Sequence, residues 1–152
     1  MAFIREVKVS ARSVIDDLDK NGLVTGEREE NEETGEGFLH VREDGSYLIT
    51  YTSESENDRA INDISVTNDE KVTLTRQGSV QSRMEFSRGG EYKTVYSVPP
   101  YSFDMTVATR RVDVNLSTEG GTLRLNYLMT IGGQSRAVRM TVSVKEVADG
   151  GR

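Results

Sequence analysis

Residues 120–144, GGTLRLNYLMTIGGQSRAVRMTVSV, decide the fold. Leu123, Leu125, Tyr127, Met129 and Ile131 fall on alternate positions, with polar residues at most of the places between them. Val138, Met140, Val142 and Val144 do the same after Gly132-Gly133. A period of two puts one face of a strand in the dry and the other in water, and a Gly pair supplies the positive φ of a tight hairpin. The stretch therefore reads as two antiparallel strands.

The same signature runs back to residue 70. Val72 and Leu74 form one dry face, Val80, Met84 and Phe86 another, and Phe103, Met105 and Val107 a third. Gln77-Gly78, Gly89-Gly90, Gly120-Gly121 and Gly132-Gly133 stand between the runs and predict the turns. Helical spacing never prevails. The expectation is an all-β antiparallel meander of about eight to ten strands, which must close into a barrel or fold into a sandwich.

Two places need a register decision. Between Val107 and Val112 the inward series jumps from odd to even numbers, with no Gly, Pro, Asn or Asp to turn the chain. One inserted residue does this in a β-bulge, so 102–117 is predicted to be a single strand bent near Thr109–Arg111. In residues 38–51, FLHVREDGSYLITY, a three-residue loop with Gly45 left-handed aligns Leu39 and Val41 with Tyr47, Ile49 and Tyr51. That register buries more aliphatic surface and leaves His40 outside. A two-residue loop would reverse it.

Length and composition bound the rest. The chain has 152 residues, enough for one domain with one core, predicted to span 1–147 and leave 148–152 as a short flexible tail. It has no Cys, which removes disulfides, thiolate metal sites and cysteine nucleophiles and fits a cytoplasmic setting. No apolar run reaches the roughly 18 residues of a membrane helix. The net charge of −6 is uneven: residues 1–76 hold nine Lys/Arg and eighteen Asp/Glu, residues 77–152 ten and seven, giving −9 and +3. No basic stripe interleaved with aromatics appears, so neither nucleic acid nor a membrane surface is expected as partner.

LTRQGSVQSRMEF (74–86), YKTVYSVPPYSFDMTVAT (92–109) and GGTLRLNYLMTIGG (120–133) together resemble the YwiB-like family, a bacterial family of unknown function. The resemblance rests on Arg76 and Gly78, on Tyr96, Pro99 and Tyr101, on Thr109, and on Leu125 and Tyr127; VKVSARSVIDD (7–17) is similar to the family's first strand. Val98 and Ser102 stand where the family pattern has Thr and Gly. The likeness implies a lipocalin-like, calycin barrel and no assigned activity.

Catalytic groups are scarce. His40 is the single histidine and has no nucleophile beside it, and the carboxylates cluster on predicted turns, so the chain is expected not to be an enzyme and to need no cofactor. The acidic run EREENEETGE (27–36) reads as a solvated, mobile edge whose like charges oppose strand addition. DLDKNGLVTGERE (17–29) imitates a calcium loop through Asp17, Asp19, Asn21 and Gly22. It carries Arg28 where a bidentate Glu belongs, and a strand pattern precedes it where a helix should. A reverse turn at Asp19–Gly22 is the better expectation.

The barrel interior is left as the candidate site. Four of five methionines fall inward, with several tyrosines and phenylalanines. Such side chains suit either a filled core or an apolar pocket. The residues expected to line a pocket at the barrel mouth are Arg76, Tyr47, Tyr51, Met84, Phe86, Phe103, Met105, Tyr127 and Met129. Arg76 is in phase with the dry face and cannot stay unpaired there. It either caps the barrel end through backbone carbonyls and an aromatic ring, or awaits an anionic ligand group. The leading function is binding a small, partly apolar or amphipathic ligand. The alternative is a protein-interaction module acting through a sheet edge, a homodimer included, or through the acidic first half.

Overall fold

The computed structural model describes residues 2–55 and 58–147, so the expected tail at 148–152 lies outside the described residues. The described chain is all-β. Its strands are β1 (Phe3–Leu18), β2 (Val24–Val41), β3 (Tyr47–Ser55), β4 (Asp58–Val66) and β5 (Val72–Gln77). They continue as β6 (Ser82–Phe86), β7 (Glu91–Val98), β8 (Tyr101–Ser117), β9 (Gly120–Ile131) and β10 (Gln134–Glu146). Among the described residues no helix is long and apolar enough to cross a membrane.

The ten strands form one antiparallel sheet in the order β6-β5-β4-β3-β2-β1-β10-β9-β8-β7. Consecutive strands pair except where β1 takes β10, which wraps the meander round on itself. The outer strands β6 and β7 then meet at one bridge, Gln81–Ser97, held by two backbone hydrogen bonds of 2.8 and 2.9 Å. The barrel is nearly closed, and its one weak seam lies there. The side chains expected on the dry face fill it: Val72, Phe86, Val107, Leu123 and Leu125 are fully buried with Val7, Val9, Leu39 and Ile49.

Both register decisions agree with the structure. Thr109 faces Tyr127 and Arg111 faces Asn126, so Arg110 is the extra residue of a bulge inside one strand. Its insertion moves the buried series from Met105, Val107 and Thr109 to Val112. In the β2–β3 hairpin Leu39 pairs with Ile49 and Val41 with Tyr47, around Gly45 at φ +86°. His40 lies on the outer face, half-buried. Two turn expectations shift: the β8–β9 turn is Thr118-Glu119, with Gly120-Gly121 beginning β9, and Gln77 ends β5, so that the next connection starts at Gly78 and takes in Val80, expected on a strand. Gly121 is needed for close approach, because a Cβ on it would lie 2.0 Å from the Asn115 carbonyl oxygen.

The β1–β2 connection is a reverse turn. Asp19 Oδ1 accepts from the Asn21 and Leu23 N–H groups at 2.8 and 2.9 Å, and the Gly22 N–H donates to the Asp19 carbonyl at 2.9 Å. Arg28 is bound to Asp16, its Nε donating to Oδ1 at 2.8 Å, and this hydrogen bond holds the Asp16 carboxyl below the usual carboxylate value. The calcium-like sequence thus spends its central carboxylate on its own backbone.

The acidic run continues β2, paired to β1 from Arg28 onward, while β3 joins only from Gly35 onward, so, among the described residues, 24–34 leave one edge of the strand unpaired. The departure from expectation is Glu33, which shares the phase of Leu39 and Val41 and is only part-exposed. Two glycines, Gly35 and Gly37, lie between them in the same phase. A Cβ on Gly35 would stand 2.1 Å from the Thr52 carbonyl oxygen, and one on Gly37 would stand 1.8 Å from that of Thr50. Glycines at such positions let the two backbones approach closely.

Candidate functional site

A cavity of about 450 Å³ opens at the barrel end formed by the β5–β6 connection, the far part of β2 and the starts of β4 and β10. Its apolar wall includes Ile15, Leu74, Met84, Met129 and Met140. Tyr51, Tyr96 and Tyr127 add aromatic surface. These residues come from β1, β3, β5, β6, β7, β9 and β10, so the cavity is the barrel's own interior.

Its polar side is a network centred on Arg76. Arg76 Nη1 donates to both carboxylate oxygens of Glu33, at 2.8 and 2.9 Å, and to Asn62 Oδ1 at 3.3 Å. Nη2 donates to Asp58 Oδ2 at 3.4 Å. Asp58 Oδ1 accepts the Ser79 backbone N–H at 3.0 Å, tying the β5–β6 connection to the start of β4. Asn62, buried, donates to Ser53 Oγ at 3.0 Å. The sheet order explains the assembly: Arg76 faces Asn62 across β5–β4, Asn62 faces Tyr51 across β4–β3, and Glu33 reaches the same inner row from the unpaired part of β2.

The electrostatics follow from this arrangement. Burial opposes the charge on Arg76, and Glu33 and Asp58 more than restore it, so the guanidinium is held firmly ionised. The Ser79 N–H first, and Arg76 after it, keep the Asp58 carboxyl below its usual range. Tyr51 is pushed up to about 12 by burial, with the Glu33 charge adding to the shift and Arg76 opposing it. Tyr127, 4% exposed, is pushed up by burial alone, and among the described residues its hydroxyl has no hydrogen-bond partner.

Of the residues expected at the site, Arg76, Tyr51, Met84, Tyr127 and Met129 line this cavity. Four do not. Tyr47 lies at the opposite barrel end, where its hydroxyl donates to the Leu116 carbonyl at 3.2 Å. Phe86 is fully buried behind Tyr127, with ring centroids 4.7 Å apart at 55°. Met105 is 2% exposed in the core. Phe103 is 46% exposed, because the β8–β9 ladder begins at Met105–Ile131 and leaves Phe103 paired only with Tyr96 on β7.

Arg76 fulfils neither expected role as stated: side-chain carboxylates hold it, not backbone carbonyls and a ring, and its Nη groups are already engaged. Glu33, Asp58 and Asn62 were missed by sequence reasoning. Parity with Leu39 would have placed Glu33 inside, and parity with Ile64 and Val66 would have placed Asn62 there.

Removing the guanidinium strands Glu33 and Asp58 in partly buried surroundings. Because Arg76 and Glu33 keep about a third of their surface in water, Arg76→Ala should cost about 1–2 kcal/mol, well short of a fully buried pair. That corresponds to a fall in Tm of roughly 2–8 °C. Arg83→Ala, whose side chain is 56% exposed and 3.5 Å from Glu85, should stay within about 0.5 kcal/mol. Thermal melts of the two variants check this, and equal small effects would mean the Arg76 network holds nothing together.

The comparisons with known proteins bear on the fold. A crystal structure of the ywiB protein from Bacillus subtilis matches with a TM-score of 0.80 at 20% identity, covering 95% of this chain and 94% of that one. At that identity the likeness concerns the barrel alone. No curated protein matches the sequence. The family described as Domain of unknown function (DUF1934) matches residues 19–142, a span that includes the Arg76 network and most of the cavity wall. The chain belongs to the DUF1934 family.

Proposed function

We propose that this barrel is a binding protein, without catalytic activity, that takes a small, partly apolar molecule into the cavity beside Arg76. The carrying observation is the combination of an apolar cavity with the Tyr127 side chain on its wall, 4% exposed and, among the described residues, with no hydrogen-bond partner for its hydroxyl. A ligand group that bonds to that hydroxyl gains a fixed orientation in the cavity. The volume of about 450 Å³ falls in the range of small-molecule sites. Met84, Met129 and Met140 give the wall adaptable side chains. Catalysis has less support, since His40 faces outward on the opposite part of β2 and among the described residues no group of three or more His, Cys, Asp or Glu is placed to hold a metal.

Nile red, a neutral apolar dye, tests the reading. Its fluorescence should rise on mixing with the protein and should be lost in Met129→Trp, which fills the cavity. Native mass spectrometry of protein purified from its own host should show a retained small molecule that the same substitution removes. Dye binding that Met129→Trp leaves intact would place the apolar surface elsewhere and sink the proposal.

The interaction-module reading has one observation in its favour, the unpaired edge of β2 over residues 24–34. That edge carries Glu27, Glu29, Glu30, Glu32 and Glu33, whose like charges oppose an added strand. It therefore ranks second.

A further inference from the structure

Resting on the cavity reading above, we propose that the ligand is an amphipathic cation: an apolar body carrying an amine or quaternary ammonium head. Among the described residues Arg76 is the one basic side chain on the cavity wall, and it already holds Glu33 through both carboxylate oxygens and Asp58 through Nη2. Two carboxylates against one guanidinium leave this cluster at 1 − 2 = −1. An anionic head would have to displace Glu33 or Asp58 from Arg76 and leave that carboxylate partly desolvated without its partner. A cationic head meets no such obstacle. It adds a counter-charge to the cluster, while the phenol oxygens of Tyr51 and Tyr127 accept N–H donors and the tyrosine rings attract a quaternary head through their faces.

The surroundings act in the same direction. The unpaired glutamate-rich part of β2 runs along this end of the barrel, and residues 1–76 carry −9 net. Cations are concentrated near such a surface and anions are repelled. The more than nine-tenths buried Tyr127 is the independent sign of a ligand, since its side chain lines the cavity and among the described residues its hydroxyl has no hydrogen-bond partner.

Displacement of Nile red by decylamine, decanol and decanoate at neutral pH and moderate salt separates the alternatives, because the three share one chain length. Decylammonium should bind about tenfold tighter than decanoate, with decanol between them. Glu33→Gln and, independently, Asp58→Asn should each erase that preference while keeping decanol binding, which also shows that the variants are folded. Glu30→Gln, on the same strand but outside the cavity wall, should leave it unchanged. Decanoate binding as tightly as decylammonium, or a preference that survives both carboxylate variants, overturns the charge assignment and leaves the cavity reading standing. Failure of all three compounds to displace the dye overturns the cavity reading itself, and this inference with it.

Discussion

Gly37→Val is expected to unfold the barrel or to lower its Tm by roughly 6–12 °C, the equivalent of about 3 kcal/mol. The reason is backbone, not side chain. A Cβ at Gly37 would lie 1.8 Å from the Thr50 carbonyl oxygen and 2.7 Å from the Tyr51 Cα, and neither atom can swing away. Relief requires β2 and β3 to part where they pair, at Gly37–Tyr51 and Phe38–Thr50. The site is close by, since Tyr51 is the partner of Gly37 and Glu33 shares the inner phase of β2. Thr34→Val is the control: it places the same valine side chain at an exposed position of the same strand, exchanging only a hydroxyl for a methyl, and should shift stability by no more than about 0.5 kcal/mol. A melting curve for Gly37→Val that overlays the wild type would show that the close approach is not real.

How much of this was legible depended on which physical signal carried it. Parity alone located the core of β5, β8, β9 and β10, because a half-buried strand cannot hide a period of two. Parity also exposed the bulge, since Val107 and Val112 cannot both face inward along a regular strand. Depth along the barrel has no such signature. Tyr47 and Tyr51 are in phase, yet one reaches the Leu116 carbonyl at one end and the other lines the cavity at the other end. Phe103 failed for a related reason: its phase is right, but where β9 stops opposite β8 is a property of the partner strand. Glu33 was hidden differently. A run of six glutamates reads as solvated surface, and only parity with Leu39, joined to an inward arginine three hairpins away, makes one of them an interior counter-ion. The β4 strand was dimmed by Asn62, a polar residue at an inward position, which is also where the site draws its hydrogen bonding.

Phe86→Ala should be the most costly of the side-chain truncations, at about 3–5 kcal/mol or roughly 6–20 °C in Tm. Phe86 is fully buried on β6, opposite Val72, and its ring meets Tyr127 at 4.7 Å with a 55° tilt. Part of the loss is apolar surface returned to water, and about 0.5–1.5 kcal/mol belongs to the aromatic contact itself. The remainder is the void, which neighbours on closed β-ladders fill poorly. β6 raises the stakes, because it is the short strand that meets β7 through the single Gln81–Ser97 bridge, so loosening Phe86 also loosens the seam. The functional consequence follows from the same geometry. Phe86 stands behind Tyr127, so its removal deepens the cavity, and amines with chains longer than decyl should gain affinity relative to decylamine. Phe86→Leu, which keeps most of the volume, should lose much less stability and leave the chain-length preference in place. A large fall in Tm without any change in that preference would mean the cavity does not end at Tyr127.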